Sequence, residues 1–356
     1  MKFSLFTLLF ALALAPQAVA QQRQHPAKGE PAAEEFPLER RTDAEPKAIV
    51  SLCINEGDVI VRGWDRKEVR ARAEGEGTLR LLTPNVSPAP RVEVLVSEEK
   101  DEELNAGHCG SNETVELTVP RGATVEIESR TGHVEVSDVS EARVKALSGD
   151  VEVRRVSRAV EVSCLSGDVS VSDSTGSVRV VSVSGDVEAR NLRTASAGDE
   201  FEVKSTSGDV TIESVGHAHV SGSAISGQIL YTGALARGGS YDFRTISGEV
   251  TLELPADASF NLHAKVVVSG EIVTDFPVKT VAITSAGVND VTPPTPPMPP
   301  APGPVMAPLP PVPSKKPGKD RTHRDHESAR LDGTVGTGDA VVNLSSFSGS
   351  LHLRKR

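Results

Sequence analysis

The chain has 356 residues, a net charge of -11 and 3% aromatic residues. The acidic balance argues against a nucleic-acid binder, because phosphate recognition needs clustered Lys and Arg, and the scarcity of aromatics argues against a carbohydrate groove of exposed rings. Thirty glycines, abundant Val and no long helical periodicity predict an all-β protein with many turns.

In chain order, Lys2, the apolar run Leu5 to Ala15 and the small-x-small site Ala18-Val19-Ala20 read as a secretory signal over residues 1–20. Cleavage is expected near Ala20, exporting the protein to the periplasm, the outer surface or the medium. The run is about half of the ~20 residues a membrane span needs, so no stable membrane insertion is expected. Residues 21–46, rich in Glu, Arg, Pro and Ala without periodicity, form a flexible leader. Ile49 to Arg72 carries strand, turn and strand, with Gly57-Asp58 at the turn and Trp64 beyond it. Val92 to Val96 and Val115 to Val119 are further strands, separated by an acidic loop at Glu98 to Glu103.

From there the chain repeats itself, the signature of a stacked architecture. TGHVEV at Thr131 is followed by SGDVEV at Ser148, SGDVSV at Ser166, SGDVEA at Ser184 and SGDVTI at Ser207. SGQILY at Ser226, SGEVTL at Ser247 and SGEIV at Ser269 continue the series, with SGSLHL at Ser348 far downstream. Glycines from Gly132 to Gly270 are separated by 17, 18, 18, 23, 19, 21 and 22 residues. Each unit holds two short alternating strands: Val151 and Val153 face one way, and Val160, Val162 and Cys164 share the inward parity of the second. Strands this short cannot bury an apolar face alone, so units must stack. One motif recurring at one phase predicts a single-stranded parallel β-solenoid, or β-helix, of ~18–22-residue coils. An antiparallel β-meander folded into a sandwich or prism is the alternative.

Gly132, Gly149, Gly167, Gly185, Gly208, Gly227, Gly248, Gly270 and Gly349 are the expected turn glycines, because Gly turns sharply at positive φ. The neighbouring Ser and Asp are expected to bond nearby amides, as in Asx and Ser/Thr turns. The Asp position becomes His133, Gln228, Glu249 and Glu271 in other copies, which disfavours a calcium ladder. Cys53 and Cys109, both outside the regular repeats, are candidates for a disulfide; three Cys cannot all pair within one chain.

The solenoid domain is assigned to 47–291. Residues 292–328 form a Pro-rich and then basic linker, in which PPTPPMPPAPGP and PLPPVP force polyproline II. Residues 329–356 return to strand-and-corner grammar and read as the last coil, rejoining the solenoid, since so few residues cannot form a core of their own.

Four stretches resemble the bacterial adhesin-domain family of exported Ser-Gly-Asp-Val repeat proteins: GDVIVRGWDRKEVRARAEG from Gly57, LTVPRGATVEIESRTGHVEV from Leu117, LPADASFNLHAKVVVSGEI from Leu254 and SFSGSLHL from Ser346. The resemblance spans about Ile49 to Leu353, with the Pro-rich insertion as a departure. It implies a β-solenoid-like fold and no established enzymatic activity.

No HExxH, GxSxG, Walker or CxxC motif is present. His217 and His219, two apart on an expected strand, are placed together on its outer face without a third ligand. Glu249 and Glu253 are expected on a wet strand face. The function expected is a binding or scaffolding module at the cell envelope, without catalysis, cofactor or metal. Its partner is expected to be an envelope protein or surface glycan. An envelope sensor reaching a partner with the Pro-rich arm, and a polysaccharide-active β-helix enzyme, are the alternatives.

Overall fold

The structure, a computed structural model, describes residues 38–75, 77–98, 105–107, 109–280 and 329–356. The signal, the leader to residue 37, the acidic loop at 99–104 and residues 281–328, with the Pro-rich stretch, lie outside them.

One unit shows how the sequence builds a coil. The long strand Glu141–Ser148 alternates buried Ala142, Val144 and Ala146 with exposed Arg143, Lys145 and Leu147. Gly149-Asp150 turns the chain into the short strand Val151–Arg154, which buries Val151 and Val153. Arg155, at φ 52°, makes a second corner, and a brief third side buries Val156 before the next long strand, Ala159–Ser166. Coils then stack in parallel register. Val160 lies between Ala142 and Val178, and Val169 between Val151 and Val187. Each inward column becomes a ladder of apolar side chains, worth roughly 1.5–3 kcal/mol for every Val fully buried. The result is the parallel solenoid, with all twenty-five described strands in one hydrogen-bonded sheet. Antiparallel pairing, the rule of the alternative meander, is confined to the two ends.

Extra residues in longer units collect on the third side, where bends and turns at 194–199 and 234–239 leave the two main strands in register. The core coarsens along the stack. Small columns of Val and Ala give way to buried Phe201, Tyr231, Tyr241, Phe243 and Phe260. Gly222, an inward position of its strand, makes room for one of these rings: a Cβ there would stand 2.8 Å from the Phe243 ring.

Coil order departs from chain order at both ends. The strand Leu38–Trp64 lies between the earlier-stacked segments Ala89–Ser97 and Gly110–Pro120 on one side and Thr124–Ser137 on the other. The strand begins at Leu38, so residues 38–46 are not leader. Residues 38–43 pair with Glu68–Ala73, a partner that no local pattern announces. At the other end, Ala340–Ser348 and Leu351–Lys355 slot between the coil of Ser240–Leu254 and that of Phe260–Thr274. The C-terminal segment is last in sequence but second-last in the stack. The strand Ala329–Val335 then covers the outer edge of Phe260–Ser269 in antiparallel fashion.

Candidate functional site

The recurrent corners come first, because they are the most regular feature of the chain. The nine turn glycines have φ between 114° and 154°. A second requirement lies across the stack. A Cβ on Gly167 would sit 2.3 Å from the carbonyl oxygen of Gly149 in the preceding coil, and a Cβ on Gly149 would sit 2.1 Å from that of Gly132. The amide of Gly149 donates to Ser166 O at 3.0 Å and that of Val151 to Asp168 O at 2.9 Å, so corners are stitched coil to coil.

The Asp side chains act differently from the expected local turn. Asp150 Oδ1 accepts the amide of Asp168 at 2.9 Å, Asp168 that of Asp186 at 2.8 Å, and Asp186 that of Asp209 at 2.8 Å. Asp209 accepts from Gln228 N at 2.8 Å, and Asp58 from His133 N, also at 2.8 Å. Each carboxylate thus reaches the next coil, because the positive-φ glycine turns the following amide toward the stack axis. Gln228 needs only its backbone N–H to receive such a bond, which is why the side chain there can change. Among the described residues no group of three or more His, Cys, Asp or Glu is placed to hold a metal ion.

The second corner is made without glycine in five successive coils, although Gly63 and Gly233 stand at its place in two others. Asp138, Arg155, Asp173, Asn191 and Ser214 take φ between 51° and 62° at equivalent places. Asp and Asn are the side chains that best tolerate this region, and their recurrence eighteen residues apart at 173 and 191 was the available signal. Asp138 sits between two guanidinium groups, 2.7 Å from Arg155 and 2.9 Å from Arg121. The hydrogen bond from Arg155, seconded by Arg121, holds the carboxyl below its ordinary range against the opposing effect of burial.

His217 and His219 do not share a face. His219 opens a strand and is exposed, whereas His217 belongs to the turn before it and is fully buried. Its Nε2 bonds Gly176 O at 2.8 Å, its ring lies against Phe201, and its carbonyl accepts from Tyr241 OH at 3.2 Å. The turn at 216–218 interrupts the two-residue parity on which the pairing rested. Glu249 and Glu253 serve different neighbours, accepting from Thr251 Oγ1 at 2.7 Å and Thr232 Oγ1 at 3.5 Å. Cys164 is buried in an inward column of small residues under the corner, where desolvation pushes its thiol up and away from thiolate chemistry. Cys53 and Cys109 form a disulfide with Cα atoms 4.5 Å apart, tying the outward face of Leu38–Trp64 to the segment entering Gly110–Pro120.

The outward face of the long strands carries an arrangement that residue parity alone does not require. One column consists of Leu147, Leu165, Val183, Ile225, Ile246, Phe347 and Val267, all 39–53% exposed, with Thr206 as the one polar member of the run. At one end it opens into a groove of about 500 Å3 lined by Leu147, Leu165, Val181, Val183 and the disulfide. The columns on its strand side are charged and cross-linked. Glu126 meets Arg143 at 3.0 Å and Arg91 at 2.9 Å, Lys145 meets Glu128 at 2.9 Å, and Lys204 meets Glu202 at 2.6 Å. The Asp corners flank its other side. This arrangement can hold a surface by apolar contact and fix its register by charge.

No helix among the described residues is long and apolar enough to cross a membrane. No curated protein matches the chain. A crystal structure of a "putative cell adhesion protein" from Clostridium sporogenes is similar at 9% identity and a TM-score of 0.22, over 90% of this chain and 99% of that one. The family model described as Toastrack DUF4097 matches residues 49–289, from the strand that carries Cys53 past the coil of Phe260–Thr274, and the chain belongs to that family.

Proposed function

We propose that this protein is an exported, non-catalytic binding and scaffolding module of the cell envelope that works through the outward face of its long strands. The observation that carries this reading is the exposed apolar column, set on a stack whose corners are locked by glycine and Asp ladders. A rigid array of coils holds many weak contacts in fixed register, so affinity accumulates without a deep pocket. Only Phe347 in the column is aromatic, which favours a protein surface over a sugar as the ligand. Export rests on the signal at residues 1–20.

The test is a binding screen of the mature full-length protein against envelope proteins and surface glycans, beside the variant Ile225→Asp/Ile246→Asp. Both side chains point to solvent, so the fold should survive the change. Protein binding that disappears in the variant supports the reading. Binding indifferent to the substitutions, or hydrolysis of a glycan, would overturn it.

A further inference from the structure

We infer that the apolar column is a self-association face, and that its occupant is a second copy of this chain laid parallel and in register about a two-fold axis running along the column. This rests on the reading of that column as the binding surface, and it names the partner.

The spacing points to another solenoid. Coils in parallel register place successive column residues about 4.8 Å apart, so the eight positions from Leu147 to Val267 extend roughly 34 Å. A partner that fills such a ladder without gaps must carry apolar groups at the same repeat. A second copy does so by construction.

The flanks select the orientation. Two residues before the column positions stand Lys145, Lys204, Arg244 and Lys265, interspersed with the neutral Ser163, Val181, Ser223 and Ser345. Three residues after them, beyond the corner, stand Asp150, Asp168, Asp186, Asp209 and Glu249. In the coils of Leu147 and Ile246 the cross-section therefore runs basic, apolar and acidic, in that of Thr206 the same two charges flank a polar position, and no coil carries the reverse order. A two-fold axis along the column turns one copy over onto the other and sets basic edge against acidic edge, with every column residue opposite its own counterpart. A two-fold axis lying across the column superposes like charge on like and reverses the ladder. Apposed like charges disfavour that second arrangement. Symmetric, self-complementary patches of this kind are the usual basis of homodimers.

The size is adequate for a modest dimer. Five residues separate basic from acidic flank, about 16 Å of chain. A patch of these dimensions buries roughly 550 Å2 on each copy, just above the ~1,000 Å2 total at which specific interfaces begin.

Variants of the full-length mature protein that add one exposed cysteine, beside the bonded Cys53–Cys109 pair and with the buried Cys164 replaced by Ala, test both occupant and orientation. Val183→Cys and Ile246→Cys lie about equally far from the middle of the column, on opposite sides. Each variant alone is expected to form a disulfide-linked homodimer on mild oxidation, because each position faces itself. Cross-links that form only when the two variants are mixed would mean the crossed axis and overturn the proposal. Sedimentation supplies the second readout. Wild type is expected to show a concentration-dependent dimer, and Ile225→Asp/Ile246→Asp to weaken it at least tenfold while keeping its β circular dichroism. A wild type that stays monomeric overturns the self-association. If such a monomer still binds an envelope protein, and the double variant does not, the proposed function stands and only the partner falls. If the double variant changes neither readout, both fall.

Discussion

At the residue scale, the corner glycine answers to two constraints, and they can be separated. Gly167 has φ 126° and the Gly149 carbonyl 2.3 Å from its Cβ position, whereas Gly238 has φ 75° and nothing within 4 Å. Strain at positive φ costs about 1–3 kcal/mol by itself, so Gly238→Ala should lose roughly that amount. Gly167→Ala must also push two coils apart, and should lose visibly more in chemical denaturation. Equal losses would mean that the coil-to-coil approach is unimportant. The Asp ladder admits a comparable separation of charge from hydrogen bonding. Asp168→Asn and Asp168→Ala both remove one charge from a row of carboxylates, but only Asn keeps an acceptor for Asp186 N. The Asn variant should be the more stable by about 1 kcal/mol, the net worth of one such bond. If the two variants unfold together, the side chain is not holding the next coil.

At the scale of the element, each coil is two strands and a short side joined by corners of different chemistry. The first corner needs Gly, while the second is made by residues such as Asp138 that tolerate positive φ and bring their own partners. Asp138 between Arg155 and Arg121 makes this second corner sensitive to acid. Its carboxyl is held below the ordinary range, so the folded state releases that proton more readily than the unfolded chain does. The stabilisation is complete above the usual carboxylate pKa of about 3.9. It is lost as pH falls through the lowered folded value. Asp138→Asn keeps a side chain suited to positive φ and should be less stable than wild type at neutral pH. That difference should shrink as the pH drops below about 4. A gap between the two unfolding curves that stays constant from neutral pH into acid would contradict this account.

At the scale of the whole molecule, the first and last described segments lie inside the stack, and the coils beyond them are formed by segments from between the two. The strand Leu38–Trp64 and the coil Ala340–Lys355 each have a coil on both sides. The outer edge left on Phe260–Ser269 is covered by the antiparallel strand Ala329–Val335, which closes an open pairing edge. The disulfide adds a covalent tie at the N-terminal end across a separation of 56 residues. Cys53→Ser/Cys109→Ser should therefore lose up to about 4 kcal/mol by the chain-entropy estimate. Thermal melts with and without reductant read this out. Wild type in reductant should approach the double variant, and a variant as stable as the oxidised protein would refute the contribution.

The sequence by itself determined the solenoid, the corner glycines and the inward parity of residues such as Val151, Val153 and Cys164. These follow from single-residue φ preferences and a two-residue alternation, both of which are local. The tertiary structure decided what depends on distant partners. Asp58 bonds His133 and Asn343 bonds Asp242, pairs 75 and 101 residues apart. No local period encodes which free edge the last coil enters, so its place between Ser240–Leu254 and Phe260–Thr274 was hidden. His217 was hidden for a related reason, since a turn reset the parity that put it outside. Most of the apolar column was present in the sequence as the residue two before a corner glycine, from Leu147 before Gly149 to Phe347 before Gly349, while a register shift sets Val267 three before Gly270. It became a surface only when parallel stacking set Leu147, Leu165 and Val183 one above another on the outward face.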